Sequence, residues 1–415
     1  MIKKNINILI VGQYFWPENF RINEISQYLG LDPNMNVFVL TGKPNYPQGK
    51  FFKGYKFWGV IKEYFQGITI FRVPVIPRGN GSALMLTLNY FSFLLFSCSI
   101  GIFLVRKTNP NILLVYATSP ILQAIPAIII SKLFRAPLML YVQDIWPESV
   151  KDTGFIKNKF ILNAIEKLVK FIYKNSEIIL VQSEGFIPKI RKLCQNADVR
   201  FLPNSVFEND EAYSQYSKEL CSQISNTLKG NSFNVVIAGN IGKAQSPQTI
   251  LDASEILKNA SKIKITIVGS GSSLNFLKEQ SKLRDIHNIQ FLGRLPAPYL
   301  KFVYEKSSIL LLTLEKSPIF SLTIPNRLQS YLAAGKPIVA AVDGEAKKIL
   351  KKSKAGISVP SSDPVALANA ILKISDMKEK DLKKMGENGK NYFKLHFDHF
   401  KLMDILKKWV IGAVK

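Results

Sequence analysis

The sequence predicts an α/β protein of two doubly wound parallel-sheet domains, and three observations carry that prediction. The chain has 415 residues, beyond the roughly 250 to 300 at which a single hydrophobic core stops growing. Along its first half, short apolar runs rich in β-branched residues alternate with stretches of helical periodicity. Near residue 233 the alternation starts afresh.

Taken in order, Ile-Leu-Ile-Val at 8 to 11 is too apolar for anything but a buried strand, and runs at 36–41, 68–73, 112–116, 137–142, 177–181 and 199–202 complete a first sheet. After a polar stretch, 207–232, "FNVVIAGNIGKAQ" (233–245) repeats the strand, glycine turn and helix start. Further strands follow in "IKITIVGSGSSL" (263–274), "NIQFLG" (288–293), "SILLLTL" (308–314), "PIVAAV" (337–342) and "GISV" (356–359). The boundary falls near "FLPNSV" (201–206), giving an N-terminal domain 1–205 and a C-terminal domain 206–394. A final helical stretch, about 395–415, is free to pack back onto the first domain.

Composition narrows the class. Hydrophobic residues make up 47% of the chain, enough for a large core and against disorder. Cys98, Cys194 and Cys221 have no metal-like or C-x-x-C spacing, so neither a disulfide framework nor a metal site is expected, and a reducing compartment is. Met1 to Lys4 is basic, but the short apolar run behind it lacks a cleavage site, and the expected location is the cytoplasm. Lys plus Arg exceed Asp plus Glu by 55 to 30, a field that attracts phosphates or anionic lipid. No nucleic-acid motif interleaves with the basic residues, so no nucleic-acid partner is expected.

In open parallel sheets, ligands bind beyond the carboxyl ends of the strands, where glycine turns and helix N-termini approach anions. Two such sheets facing one another form a cleft. Gly12 allows the first strand to turn, and Gln13 to Arg21 form a loop at that edge. Tyr14, Phe15 and Trp16 either wall a binding site or pack between loop and core. In "LMLYVQDIWPESV" (138–150) Asp144 and Glu148 end a buried run, where a carboxylate can accept or orient a hydroxyl proton. The alternative is that Asp144 caps the next helix, with Pro147 in its first turn. In the second half, Gly239, Asn240, Gly242 and Lys243 offer close backbone approach and a point charge, and Gly271 a second glycine turn. In "LTIPNRLQSYLAAGKP" (322–337) Thr323 is a candidate N-cap and Pro325 suits a first helical turn. Arg327 in that turn suits bidentate contact with a diphosphate.

The ordered set "GQYFWPENFRINE" (12–24), "TGKPNYPQG" (41–49), "YVQDIWPES" (141–149), "VQSEGF" (181–186), "LPNS" (202–205), "AGNIGKAQ" (238–245), "IVGSG" (267–271), "FLGRLP" (291–296) and "IPNRLQSYLAAGKPIVAAVDGE" (324–345) resembles family 4 retaining glycosyltransferases of the GT-B fold. The resemblance covers nearly the whole chain, and is strongest to the L-fucosamine transferase and colanic-acid-type branch. It implies two Rossmann-like domains facing a cleft, and a nucleotide-sugar donor, UDP-linked, used without metal or cofactor. It implies transfer with retention to a polyprenyl-diphosphate-linked glycan in capsule, O-antigen or exopolysaccharide synthesis. It assigns Asp144 and Glu148 to catalysis and Gly12, Gln13, Tyr14 and Arg21 to the acceptor. To the donor it assigns Gly239, Asn240, Gly242, Lys243, Gly271, Arg294, Thr323, Asn326, Arg327 and Ser330. The sequence departs from the family where two glutamates usually stand eight positions apart, since Leu322 and Ser330 occupy those places. Glu315 and Glu345 are near in sequence, without a spacing that demands their use.

Two other classes fit parts of the pattern: a GT-B-fold UDP-sugar 2-epimerase, and a non-enzymatic basic membrane-binding scaffold. The membrane enters through "ALMLTLNYFSFLLFSCSIGIFLV" (83–105), uncharged and long enough to span a bilayer. It lies between two strands of one expected sheet, which argues against a span. Flanked by Arg78, Arg106 and Lys107, and interrupted by Asn89, Ser92, Ser97 and Ser99, it suits monotopic attachment to an anionic inner leaflet. A buried crossover helix is the alternative.

Overall fold

A computed structural model of the chain describes residues 5–59, 61–152, 158–206, 217–228 and 231–414. Met1 to Lys4 and much of the polar stretch after residue 206 lie outside the described residues. The chain forms two compact units, Met1–Leu202 together with Met403–Lys415, and Pro203–Leu402.

The first unit is built on eight strands: β1 (Ile6–Val11), β2 (Met35–Gly42), β3 (Ile61–Phe65), β4 (Ile68–Val73), β5 (Ile112–Ala117), β6 (Leu138–Val142), β7 (Ile178–Val181) and β8 (Asp198–Phe201). Their order is β3-β4-β2-β1-β5-β6-β7-β8. All neighbours are parallel except β3 and β4. Central strands of such a sheet are covered on both faces, so β5 and β6 are buried at every residue, as their unbroken apolar runs require. The sequence reading lacked β3. Its residues alternate between half-buried and exposed at the sheet edge, and Gln66 and Gly67, both with positive φ, turn it into β4.

The second unit has six parallel strands, β9 (Phe233–Ala238), β10 (Ile263–Val268), β11 (Ile289–Gly293), β12 (Ile309–Thr313), β13 (Ile338–Ala341) and β14 (Gly356–Val359). Their order, β11-β10-β9-β12-β13-β14, is the Rossmann order, and without β3 the first sheet follows the same pattern. The strand order therefore reverses between β1 and β5 and between β9 and β12. Ligands bind at the carboxyl ends beside such reversals.

The terminal helix His399–Ala413 returns to the first unit. Lys407 pairs with Asp32 at 2.6 Å, Tyr28 Oη donates to Asp404 at 2.7 Å, and Arg200 lies over the Trp409 ring.

Between β4 and β5 the chain is helical from Ala83 to Thr108, with a π-type turn at Ser97–Gly101. By length and composition this is the one helix among the described residues long and apolar enough to cross a membrane. Both flanking strands belong to the same sheet, so a crossing would divide that sheet. The polar residues do not interrupt the exposed surface as the sequence suggested. Asn89, Ser92 and Ser97 are buried, whereas Leu84, Phe91, Leu95 and Phe103 are 69, 56, 64 and 69% exposed. Only Ser99 of the four polar positions faces outward.

Candidate active site

In the first unit, Asp144 follows β6 and turns back to the end of β5. Its Oδ2 accepts from Ser119 N–H at 3.0 Å and Ser119 Oγ at 2.9 Å, and Trp146 Nε1 donates to the same Oγ at 3.0 Å. The carboxylate therefore does not cap the helix Glu148–Asp152, because Ser119 has captured it. Oδ1 has no protein donor among the described residues, and Asp144 is only half-buried, so the free oxygen can receive a hydroxyl proton. Glu148 begins that helix, 3.8 Å from Lys189 Nζ, with Oε2 buried and unpaired.

Arg21 immediately precedes the helix Ile22–Gly30. Its charge acts on Glu24 and on the buried phenols of Tyr116 and Tyr141, and Tyr116 also feels Asp144. Burial raises the pKa of all three of those groups, and Arg21 opposes the rise. Arg21 and Asp144 thus share one electrostatic neighbourhood. Ser119, Tyr116 and Tyr141 were absent from the sequence-based set, position at a strand end being their only signal, and so was Glu24 in the first turn of the helix Ile22–Gly30.

The opening loop packs much of its length against the first unit. Gly12 N–H donates to Leu40 O, extending the sheet by one bond. Gln13 is buried, its Nε2 donating to Asn89 Oδ1 at 2.6 Å. Tyr14 is buried, stacked on Phe20 at 5.0 Å; Phe15 is buried and Trp16 stacks on Phe65 at 4.5 Å. Tyr14, Phe15 and Trp16 thus make packing contacts, one of the two readings open in the sequence, and the loop folds inward around Glu18. That carboxylate, missed in the sequence, accepts from Asn45 N–H at 2.8 Å, Tyr46 N–H at 2.7 Å and Phe15 N–H at 3.3 Å.

Burial pushes the Glu18 carboxyl up to about 7, against the pull of those three bonds and of Arg72. The folded chain then holds a proton that the unfolded chain releases near its ordinary pKa of 4.5. Stability is fully present below that value and falls as the pH rises toward about 7. Urea unfolding at pH 5 and 7.5 should show the loss, and Glu18→Gln should flatten it; an equal slope in both proteins would contradict this assignment.

In the second unit, two glycine turns lock together at the ends of β9 and β10. Gly239 N–H donates to Val268 O at 2.8 Å and Ile241 N–H to Ser270 O at 2.9 Å. Gly269 and Gly271 have φ of +143° and +156°, and a Cβ there would lie 1.9 Å from Gly239 O and 2.2 Å from Ile241 O. Only glycine lets these backbones approach so closely. Gly242 N–H donates to Gln245 Oε1, and Lys243 is exposed in the turn Lys243–Gln245.

Arg327 lies over the first of these turns. Its Nη2 donates to Asn240 O at 2.6 Å, while Nη1 is buried without a protein partner. The helix Asn326–Ala334 begins after Pro325, and no side chain caps it. Thr323 is not its N-cap, because Pro318–Leu322 forms a separate short helix whose Ile319 O takes the Thr323 hydroxyl at 2.9 Å. The first N–H groups of Asn326–Ala334 therefore keep no side-chain acceptor, which favours an anion there. Asn326 Oδ1 accepts from Asn204 Nδ2 at 3.2 Å, and Ser330 Oγ donates back to Asn326 O at 3.3 Å. Arg294 is exposed just past the edge strand β11. Both amide atoms of Gln329, fully buried on the same helix as Arg327, lack a protein partner; sequence reasoning missed this residue.

The two nearby glutamates are held by the protein. Glu315 accepts from Ser246 Oγ at 2.9 Å and Ser362 Oγ at 3.1 Å, and Glu345 pairs with Lys348 at 2.7 Å. Among the described residues, no group of three or more His, Cys, Asp or Glu could hold a metal ion.

Residues 222–392 match the family model described as Glycosyl transferases group 1. A probable glycosyltransferase of Pseudomonas aeruginosa, WbjE, is 24% identical over 396 residues, covering 88% of this chain and 91% of that protein. Among solved structures, sucrose-phosphate synthase from Thermosynechococcus elongatus superposes with a TM-score of 0.74 at 16% identity, over 99% of this chain and 100% of that one. Anabaena HepE in complex with UDP gives 0.67 at 13% identity, over 98% and 100%. The two parallel-sheet domains are those of GT-B glycosyltransferases, and with a group 1 domain on that frame the chain is a glycosyltransferase.

Proposed function

We propose that the enzyme transfers a sugar from a UDP-linked donor to a polyprenyl-diphosphate-linked glycan, with retention of configuration, in capsule, O-antigen or exopolysaccharide synthesis. An N-acetylated deoxy-aminosugar such as L-fucosamine is the proposed cargo. The observation that carries the donor half is the joint arrangement of Arg327, the uncapped helix start and the Gly239, Gly269 and Gly271 turns. Backbone donors, a guanidinium and a partial positive charge converge at one strand end, and a diphosphate fits that chemistry. HepE, of the same fold, is solved with UDP. Asp144 orients the acceptor hydroxyl, and positioning and charge stabilisation carry the rate. Incubation with UDP-sugars, with and without a lipid-linked acceptor, tests this reading. Transfer only with the acceptor is expected, whereas conversion of the donor alone would favour a 2-epimerase.

The acceptor half rests on the helix Ala83–Thr108. Asn89, Ser92 and Ser97 point into the protein while Leu84, Leu88, Phe91, Leu95 and Phe103 are exposed, the arrangement of a surface that meets lipid rather than water. Helix Lys159–Lys174 adds exposed Phe160, Ile161 and Phe171, the last with Lys132 above its ring at 5.8 Å. With a net charge of +25, the enzyme is a peripheral protein of the anionic inner leaflet. Purified protein should float with anionic liposomes at low salt. Leu88→Glu with Leu95→Glu should reduce flotation at least fivefold without lowering the melting temperature, and undiminished flotation would contradict the assignment.

A further inference from the structure

We propose that Arg78 binds the diphosphate of the lipid-linked acceptor at the point where the outward-apolar helix begins. The inference deepens the acceptor reading above and is independent of the donor. The carboxyl ends of β1, β2 and β4 lie side by side in the sheet, and the loops leaving them bring Tyr14, Tyr46 and Arg78 together. Backbone contacts hold these loops in place. Asn45 N–H donates to Glu18 Oε1 at 2.8 Å, Arg78 N–H to Asn45 Oδ1 at 3.1 Å, and Gly79 N–H to Gly49 O at 3.0 Å.

The guanidinium carbon of Arg78 lies 5.2, 5.8 and 6.0 Å from the ring centres of Tyr46, Tyr14 and Tyr90. Nη1 donates to Tyr14 Oη at 2.6 Å. Aromatic faces attract the cation and fix its plane, but phenols do not neutralise it. Among the described residues no carboxylate pairs with Arg78, and its Nε and Nη2 donate to no protein atom. Arg72, on β4, shows the contrast. Its Nε, Nη1 and Nη2 each donate to a protein acceptor, Glu63 Oε2 at 2.7 Å, Gly42 O at 3.0 Å and Trp16 O. A half-buried guanidinium without a counter-ion is costly unless an anion completes it, and its free fork suits two phosphate oxygens.

The surroundings select a phosphate carried by lipid. Tyr90, one wall of the cage, belongs to the helix Ala83–Phe96, whose Leu84, Leu88 and Phe91 are exposed. Arg78 therefore stands between the ligand-binding edge of the sheet and the surface proposed to meet the bilayer. A prenyl diphosphate lying with its chain along that helix would bring its headgroup to the cage.

Calorimetric titration with farnesyl diphosphate tests the proposal, with farnesol and inorganic pyrophosphate as controls and UDP titrated separately. The wild-type chain should bind farnesyl diphosphate more tightly than either control. Arg78→Gln keeps a planar group and a donor for Tyr14 but removes the charge, and it should weaken that binding at least tenfold with UDP affinity unchanged. Arg78→Lys, which keeps the charge without the fork, should fall between; if the glutamine variant does not fold, this comparison decides. Equal affinity of the variants and wild type, or no binding by wild type, would overturn the assignment. Pyrophosphate binding as tight as farnesyl diphosphate would mark a free-phosphate site and overturn the lipid part. Failure of UDP to bind would count against the donor reading alone.

Discussion

Asp144→Asn should leave the first unit folded and cut turnover by at least about a hundredfold, the low end for a lost acid/base or orienting group. Asparagine can still accept from Ser119 N–H and Oγ, the two bonds that fix the native side chain at 3.0 and 2.9 Å. What it lacks is a charged oxygen for the acceptor hydroxyl. The fall should therefore appear in kcat, with UDP affinity and melting temperature near wild type. A variant that melts early yet turns over normally per folded molecule would show that the carboxylate only braces the ends of β5 and β6.

Arg327→Ala should weaken UDP binding by roughly tenfold to a hundredfold, the range for losing hydrogen bonds from a charged group. The fold should lose little, because among the described residues the side chain makes one hydrogen bond, Nη2 to Asn240 O, and leaves Nη1 unpaired. Calorimetry with UDP gives the answer directly. Unchanged affinity would remove Arg327 from the donor site.

The strands were legible because burial on two faces demands uninterrupted apolar runs, as at Ile263–Val268. Ile61–Phe65 escaped notice because an edge strand carries charge on a partly exposed surface, although Gln66–Gly67 between two alternating runs was a readable turn. The glycine turns announced themselves by composition. Their partners did not: Arg327 meets Asn240 across 87 positions and Asp144 meets Ser119 across 25, distances over which local pattern carries no information. Thr323 was misassigned because its spacing from Asn326 suits a cap, whereas Pro318 starts another helix that takes its hydroxyl. For residues 83–105 the sequence contained the hydrophobicity but not its direction. Whether Asn89 points in or out depends on Gln13 and Ile76, which its side chain bonds at 2.6 Å each.

The return of His399–Ala413 to the first unit has a consequence for the order of synthesis. A ribosome makes the N-terminal segment first, and domains tend to fold as they emerge. Here residues 1–202 emerge without the helix that pairs with Asp32 and Tyr28 and covers Arg200. The second unit, Pro203–Leu402, is completely translated before that helix exists. The half begun first is thus completed last, and a nascent chain stopped just after residue 402 would carry a complete second unit and a first unit still lacking its helix.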